Sequence, residues 1–510
     1  MWDTIVIGSG IGGLATAAAL ARKGRRVLVL EQHTVPGGLT QTFRRGQWSF
    51  APGVHYIGGV APQAGAGGRF GRLLAWLTHD ALRFSPCANP YDIVRLPGFE
   101  FGIPHPEGAY RDALLARFPQ EQAAIDGWFE ACAAARLVAS TLFAQHAAPA
   151  PVRWALRQWH GAEVEHWAHR TLAEELARVN DPRLRAVLGA RWADYGATPA
   201  QAPFLEHALV TGSYDAGAWY PVGGPARFAE TLVPAIEAAG GEVRVGCDVR
   251  QIVVAGGRVR GVAFASGDRQ LSEASDHVIS AMGVANTVAC LAPDEAAAWQ
   301  ETVRGLAPGL SCIAMYLGFD GDIAAAGASS ANHWIFESER IDRLWADPQQ
   351  EDAPGLFVSF PSLKDPACEG KPTAELVVAA GAAPFAPWFG PSTTGQRPGG
   401  YGELKAAIEQ RLLRQFLRHF PALQPLLRFQ ELATPVTQQR YVRSPRGAMY
   451  GIEMSAERLT SEALRVRTPL QGLLLAGQDV TSPGVEAAFM GGLLAAATLE
   501  PSLWLMLQGA

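Results

Sequence analysis

A short apolar run, Thr4 to Ile7, passes directly into Gly8-Ser9-Gly10-Ile11-Gly12-Gly13 and then into an alanine-rich stretch. Few folds use residues in that order. In a strand-turn-helix unit, Gly8 permits the tight turn, Gly10 lets backbone approach a pyrophosphate, and Gly13 lets the helix lie close on the strand. The free N–H groups at the helix N-terminus then face the phosphates. A second strand, Arg26 to Leu30, ends in Glu31. That is about 20 residues after the glycines, where a carboxylate meets a ribose hydroxyl pair and opposes a 2′-phosphate. The glycines alone would be weak evidence. Strand, glycines, helix and acid in register make a dinucleotide-binding unit.

Thr4 to Ala21 carries no charge and ends in Ala19-Leu20-Ala21, superficially like a secretory signal or a membrane span. Its flanks argue otherwise. Asp3 stands where a positive n-region belongs, the glycines spoil a membrane helix, and Arg22 to Arg26 lies on the wrong side of the run. The N-terminus is therefore expected to be mature and folded. A chain of 510 residues, 48% hydrophobic and 18% charged, predicts a large core and two structural domains. Its net charge of -5 offers no general attraction for nucleic acid. Cys87, Cys132, Cys247, Cys290, Cys312 and Cys368 are widely spread and form no C-x-x-C pair. They fit buried thiols in a reduced cytosol better than a metal site or a disulfide framework.

Pro36-Gly37-Gly38 follows Glu31 closely, and its paired glycines would again let backbone approach a bound cofactor. The aromatic segment Gln47 to Gly58 predicts an extended stretch beneath a cofactor ring. From Arg111 to about Trp192 the pattern is helical, with one break at Pro149 to Pro151. A helix over Pro225 to Ala238 is followed by strands at Glu242 to Gly246, Val249 to Ala255, Arg258 to Ser266 and His277 to Ala281. Gly256-Gly257 joins the middle two as a hairpin. Further strands at Ser311 to Phe319, Leu356 to Phe360 and Leu376 to Ala380 predict an antiparallel sheet in the second domain. A helix over Glu403 to His419 comes next, and Gly472 to Leu499 returns as strand, turn and apolar helix. Gly65-Ala66-Gly67-Gly68 follows no strand and is expected to be a loop.

Four separated motifs carry a family resemblance. They are the N-terminal fingerprint with Glu31 and Pro36-Gly37-Gly38; Tyr220-Pro221-Val222-Gly223-Gly224 with Gly240-Gly241-Glu242-Val243; Thr434-Pro435 with Tyr450-Gly451-Ile452-Glu453; and Leu475-Ala476-Gly477-Gln478-Asp479. Together they resemble the carotenoid desaturase, carotenoid isomerase and retinol saturase group of FAD-dependent oxidoreductases. Gly53 to Gly58 and Pro445 to Gly451 resemble the retinol saturase branch most. The resemblance implies an α/β Rossmann-like FAD-binding domain of the glutathione-reductase and amine-oxidase type, with an α+β substrate domain of helices and an antiparallel sheet. The expected division is 1–105, 225–295 and 435–510 for FAD, and 106–224 and 296–434 for a substrate-binding, membrane-facing domain.

The resemblance also implies site roles. Gly8, Gly10, Gly12 and Gly13 should hold the FAD pyrophosphate, with Gly37, Gly38 and Gly477 in the same cradle and Glu31 on the adenosine ribose. Val249 should meet adenine through its backbone, and Asp479 the ribityl chain or phosphate. The helix opening near Val485 should aim N–H groups at the flavin N1 and O2 edge, where negative charge appears on reduction. His55, Tyr56 and Glu453 are the candidate proton donors or acceptors. The implied reaction is desaturation or saturation of a carbon–carbon bond in a long lipophilic substrate, a carotenoid- or retinoid-like polyene or an unsaturated fatty acyl chain. Flavin-dependent polyene isomerisation, an amine oxidase and a redox-silent FAD or lipid carrier are the alternatives. Val152 to His160 interleaves Trp with Arg, as either an interfacial segment or an ordinary amphipathic surface helix would, so a cytoplasmic protein is expected, with peripheral membrane contact as one of the two readings of this segment. No metal and no nucleic acid partner is implied.

Overall fold

The computed structural model describes residues 2–61, 68–390, 397 and 399–509. Of the predicted glycine loop, Gly65 to Gly67 lie outside the described residues, and Gly68 precedes the helix Arg69–Thr78.

The N-terminal unit forms as its residues require. Thr4–Ile7 and Val27–Leu30 are buried along their whole length, as expected for strands covered on both faces. They belong to a parallel five-stranded sheet in the order Leu473–Leu475, Val278–Ser280, Thr4–Ile7, Val27–Leu30, Glu242–Arg244. The helix Ile11–Ala21 is buried at every residue. It packs against the helix Val485–Leu499 with almost no space between backbones: a Cβ on Gly492 would stand 2.2 Å from the Gly12 carbonyl oxygen. The uncharged run that mimics a membrane segment is thus an interior helix. Among the described residues no helix is long and apolar enough to cross a membrane.

A three-stranded antiparallel sheet, Asp248–Ala255, Arg258–Ser266 and Arg269–Ala274, extends this body. Gly256 and Gly257 have φ of +63° and +71°, the conformation that a two-residue hairpin needs at both turn positions.

The second sheet has seven strands rather than the three expected. Its order is Leu427–Ala433, Ser311–Phe319, Thr373–Ala380, Gly355–Ser359, Asn332–Phe336, Asp92–Leu96, Phe99–Ile103. All pairings are antiparallel except Asn332–Phe336 with Asp92–Leu96. The last two strands fall inside the 1–105 stretch assigned to the nucleotide domain, yet they hydrogen-bond into this sheet. Side chains alternate between its faces. Ile313, Met315, Leu317, Leu376 and Val378 pack beneath the helix Tyr401–His419, which presents Leu404, Ile408, Leu412 and Phe416. Cys312, Ala314, Val377 and Ala379 point the other way, into a cavity.

The helical stretch breaks more often than the single interruption expected at Pro149. Helices span Glu107–Arg117, Gln122–Ala147, Ala150–His169, Leu172–Leu176 and Pro182–Gly189, followed by a 3-10 turn Ala190–Tyr195. The extra breaks have local causes. Thr171 and Glu174 form a capping box at one, and the Asp181 carboxylate caps the backbone of Arg183 and Leu184 at another.

Candidate active site

A single elongated cavity of about 1500 Å³ runs from the glycine turn to the open face of the seven-stranded sheet. At its first end the walls are mostly backbone. Gly8 turns with φ +94°, and nothing lies within 4 Å of where a Gly10 Cβ would be. Gly8, Gly10, Gly12, Glu31, Gly37, Gly38, Val249, Gly477, Asp479 and Val485 all line the cavity. Gly13 does not. It lies behind the turn, where a Cβ would fall 2.0 Å from the Gly8 carbonyl oxygen, so its contribution is to helix-on-strand packing.

Glu31 is held before any ligand arrives: one carboxylate oxygen accepts from the Ser9 N–H at 2.8 Å and the Ser9 hydroxyl at 2.7 Å, the other from the His33 N–H at 2.7 Å. Asp479 accepts from the Val284 N–H at 2.7 Å through Oδ2, while its Oδ1 is buried without a partner. An orphaned carboxylate oxygen in a glycine cradle is what the ribityl hydroxyls of a flavin dinucleotide would satisfy by donating to it. The helix Val485–Leu499 starts at the cavity wall after Gly484, with no side chain capping its first N–H groups. Those donors suit a developing negative charge. The residues present therefore fit FAD.

At the other end the walls are side chains. Trp192, Trp334, Phe336, Leu356, Phe357 and Val377 form an apolar chamber. Of the three predicted acid–base candidates, His55 and Tyr56 reach the cavity and Glu453 does not. Glu453 sits beside Gly309, outside the lining, with its carboxyl raised by partial burial and by Glu457. His55 is tied down: its Nδ1 lies 2.8 Å from Glu375 Oε2, and Glu375 Oε1 accepts the Ala51 N–H at 2.6 Å. Gln47 to Gly58 is only briefly a strand, at Trp48–Phe50. Beyond it, Ile57 exchanges backbone bonds of 2.8 Å with Trp219, which carries His55 and Tyr56 to the chamber wall.

Tyr56 lies at the centre of a buried polar cluster. Its hydroxyl is 3.3 Å from Asp194 Oδ2 and 3.4 Å from Asp92 Oδ2, and its ring stacks on Tyr214 at 4.8 Å. Arg191 donates to Asp92 at 2.8 Å and to the Tyr91 hydroxyl at 2.6 Å. Its guanidinium lies 5.0 Å from the Tyr91 and Tyr214 ring centres. Lys364 donates to Asn332, to Ser359 at 2.7 Å and to the His55 carbonyl at 2.8 Å. Burial lowers the Lys364 ammonium and holds the Tyr56 phenol well above its usual value.

Three carboxyls on the cavity wall, Asp194, Glu206 and Glu486, are pushed up to about 7, in each case chiefly by burial. Glu206 accepts from Ser482 through Oε1, and its Oε2 is buried and unpaired. Sequence reasoning missed all three. The one available signal was a lone acid in an apolar surround, such as Asp194 after Arg191-Trp192-Ala193, and such a signal names no partner.

A parallel-sheet dinucleotide cradle opening onto an apolar chamber defines a flavin-dependent oxidoreductase. The family described as flavin containing amine oxidoreductase matches residues 11–499, and the chain belongs to that family, with FAD as its cofactor. Among its relatives, the all-trans-retinol 13,14-reductase of Rattus norvegicus is 32% identical, over 99% of this chain and 87% of its own length. The chloroplastic prolycopene isomerase of Daucus carota is 24% identical, over 88% of this chain and 72% of its own. Of solved structures, cyclohexylamine oxidase from Brevibacterium oxydans aligns with a TM-score of 0.61 and 18% identity, covering 99% of both chains. That last likeness is one of fold.

Proposed function

We propose that this flavoenzyme saturates or desaturates a carbon–carbon bond of a long retinoid- or carotenoid-like polyene. The observation that carries the reading is the continuity of one cavity from the glycine cradle to the aromatic chamber. The rat reductase supports the saturating direction, and an unsaturated fatty acyl chain meets the same apolar wall. FAD, when bound, supplies hydride exchange at N5. The chain would hold it through Gly8, Gly10, Gly12, Gly37, Gly38 and Gly477, with Glu31 for the ribose, Val249 for adenine, Asp479 for the ribityl hydroxyls, and the helix from Val485 for the ring. Gly13 sets the turn. The chamber excludes water and orients the chain, and His55 and Tyr56 stand where a proton could be exchanged.

The division into bodies is proposed as expected from sequence, with one change: residues 92–103 go with the substrate body, because they hydrogen-bond into its sheet. A peripheral membrane contact would supply the lipophilic substrate. Leu137, Val152, Trp154 and Trp159 are exposed on two adjoining helices, and Ala139, Ser140 and Phe143 on the first of these line the cavity. Isomerisation is the second reading, favoured by the match to prolycopene isomerase.

Anaerobic reduction with dithionite followed by all-trans-retinol tests the reading. Reoxidised flavin with a product heavier by H2 supports saturation. An isomer of equal mass supports the second reading. Flavin that stays reduced beside unchanged polyenes of several lengths excludes saturation, and oxidised flavin that also leaves polyenes of several lengths unchanged overturns the rest and leaves a redox-silent carrier.

A further inference from the structure

We propose that Asp194 exchanges the proton with the polyene, and that the Tyr56 hydroxyl turns to hold the carboxylate left behind. The inference rests on the oxidoreductase reading above and adds the acid to it. It starts from the unequal treatment of two carboxyls around one hydroxyl. Asp92 is fully buried and receives bonds from Arg191 Nε at 2.8 Å and from Asn332 Nδ2 at 3.2 Å. Its negative charge is therefore compensated. Asp194 has no ion pair among the described residues; its carboxyl meets the Tyr56 hydroxyl and opens onto the cavity. Two carboxylates flanking one hydroxyl do not both ionise cheaply in a buried site. Arg191 pairs with Asp92, so Asp194 is left as the carboxyl without a counter-cation, the one that gives up its proton less readily.

The groups facing Asp194 are Tyr56, Asp92, Arg191, Tyr195, Tyr214 and Tyr450. Burial and then the Asp92 charge raise its carboxyl to about 7, while Arg191 and the Tyr56 hydroxyl act the other way. The aromatic stack of Tyr56, Tyr214 and Tyr91 fixes the geometry.

In the saturating direction, the Asp194 O–H bond breaks and its proton forms a C–H bond at one alkene carbon, using the π electron pair. Hydride from the reduced cofactor forms the other C–H bond. The new Asp194 carboxylate then accepts the Tyr56 O–H, which had been directed at Asp92, and water returns the proton. Desaturation is the reverse.

Infrared difference spectroscopy of the FAD-loaded enzyme gives a readout independent of turnover. Wild type should show a protonated carboxyl band, sensitive to D2O, that titrates away near pH 7 and is absent in Asp194→Asn. The Glu206 and Glu486 bands should remain in that variant. In Tyr56→Phe the Asp194 band should titrate at higher pH. In single turnover of dithionite-reduced enzyme with all-trans-retinol, Asp194→Asn should slow reoxidation about 100-fold or more, in the range general acid catalysis contributes. Asp194→Glu should restore part of the rate. The wild-type rate should fall as pH rises through about 7, because the acid form is lost. If Asp194→Asn fails to bind flavin, the profile of Tyr56→Phe decides the matter: its fall should move to higher pH, because only Asp194 among the three raised wall carboxyls is bonded by Tyr56, and an unmoved, flat or rising profile overturns the assignment. A wild-type rate in flavin-loaded Asp194→Asn, or an unchanged infrared spectrum, also overturns it and leaves the oxidoreductase reading standing. A wild-type enzyme that turns over no polyene with its flavin either reduced or oxidised overturns both.

Discussion

The two ends of the cavity are built on opposite plans. The nucleotide end is shaped by backbone, with glycines whose missing side chains are the feature, and its carboxylates Glu31 and Asp479 are held by backbone N–H groups. The chamber end is shaped by large side chains and contains a buried polar set, Asp92, Arg191 and Lys364, beside Asp194, whose carboxyl burial pushes up to about 7. A phosphate and a ribose are bound by N–H groups and one carboxylate, so shape suffices there. A polyene offers no polar handle, so any proton the reaction needs must be stored in the wall.

That contrast can be broken most easily at Arg191. Arg191→Met leaves the Asp92 carboxylate buried with only the Asn332 amide and the Tyr56 hydroxyl beside it and should cost about 3–5 kcal/mol in urea unfolding. Asp92→Asn added to it should recover part of the loss. A tolerated Arg191→Met would mean that the chamber does not depend on charge pairing. At the nucleotide end, Gly13→Ala places a Cβ 2.0 Å from a backbone oxygen that cannot rotate away. The expected cost is about 1–3 kcal/mol, with loss of bound FAD measured by the flavin-to-protein absorbance ratio. Full flavin occupancy in that variant would show that the cradle tolerates more than backbone shape allows.

A smaller effect sharpens the acid side of the comparison. Glu206 is raised from 4.5 to about 7 by burial, so between those values the folded state binds more protons than the unfolded state. Its contribution to stability therefore falls as pH rises through that window. Glu206→Gln should gain melting temperature relative to wild type from about pH 4.5 to about pH 7, and a difference that does not change with pH would place the Glu206 charge elsewhere. The smallest effect is expected at the surface. Trp154→Ser with Trp159→Ser should change folding stability by less than about 0.5 kcal/mol, while weakening sedimentation with phosphatidylcholine vesicles. Unchanged vesicle binding would detach these residues from substrate supply.

Much of the nucleotide end was legible because its residues act over short sequence distances. Gly8 to Gly13, Glu31, Gly37 and Gly38 lie within one strand-turn-helix-strand unit, and the late Gly477-Gln478-Asp479 turn repeats that local grammar. Gly13 packs helix on strand as expected, but it does not reach the cavity surface where it was also expected to meet the pyrophosphate. The chamber was far less legible. Glu453 shares a motif with Tyr450 and Ile452, yet the chain turns it away from the cavity that Ile452 lines. Asp92 and Arg191 are 99 residues apart, and neither sits in a motif. The strands Asn332–Phe336 and Leu427–Ala433 also escaped notice, the first a short wholly buried run, the second partly exposed.

The sequence by itself determined the dinucleotide unit, because turns that require glycine and strands buried on both faces are local demands of steric fit and hydrophobic burial, while the family and its FAD came from the resemblance its motifs carry. Only the tertiary structure decided which acids face the substrate and which of them are charged. That depends on which cation reaches which carboxylate in a low-dielectric interior, and such pairing is set by distance in space, to which position along the chain is no guide.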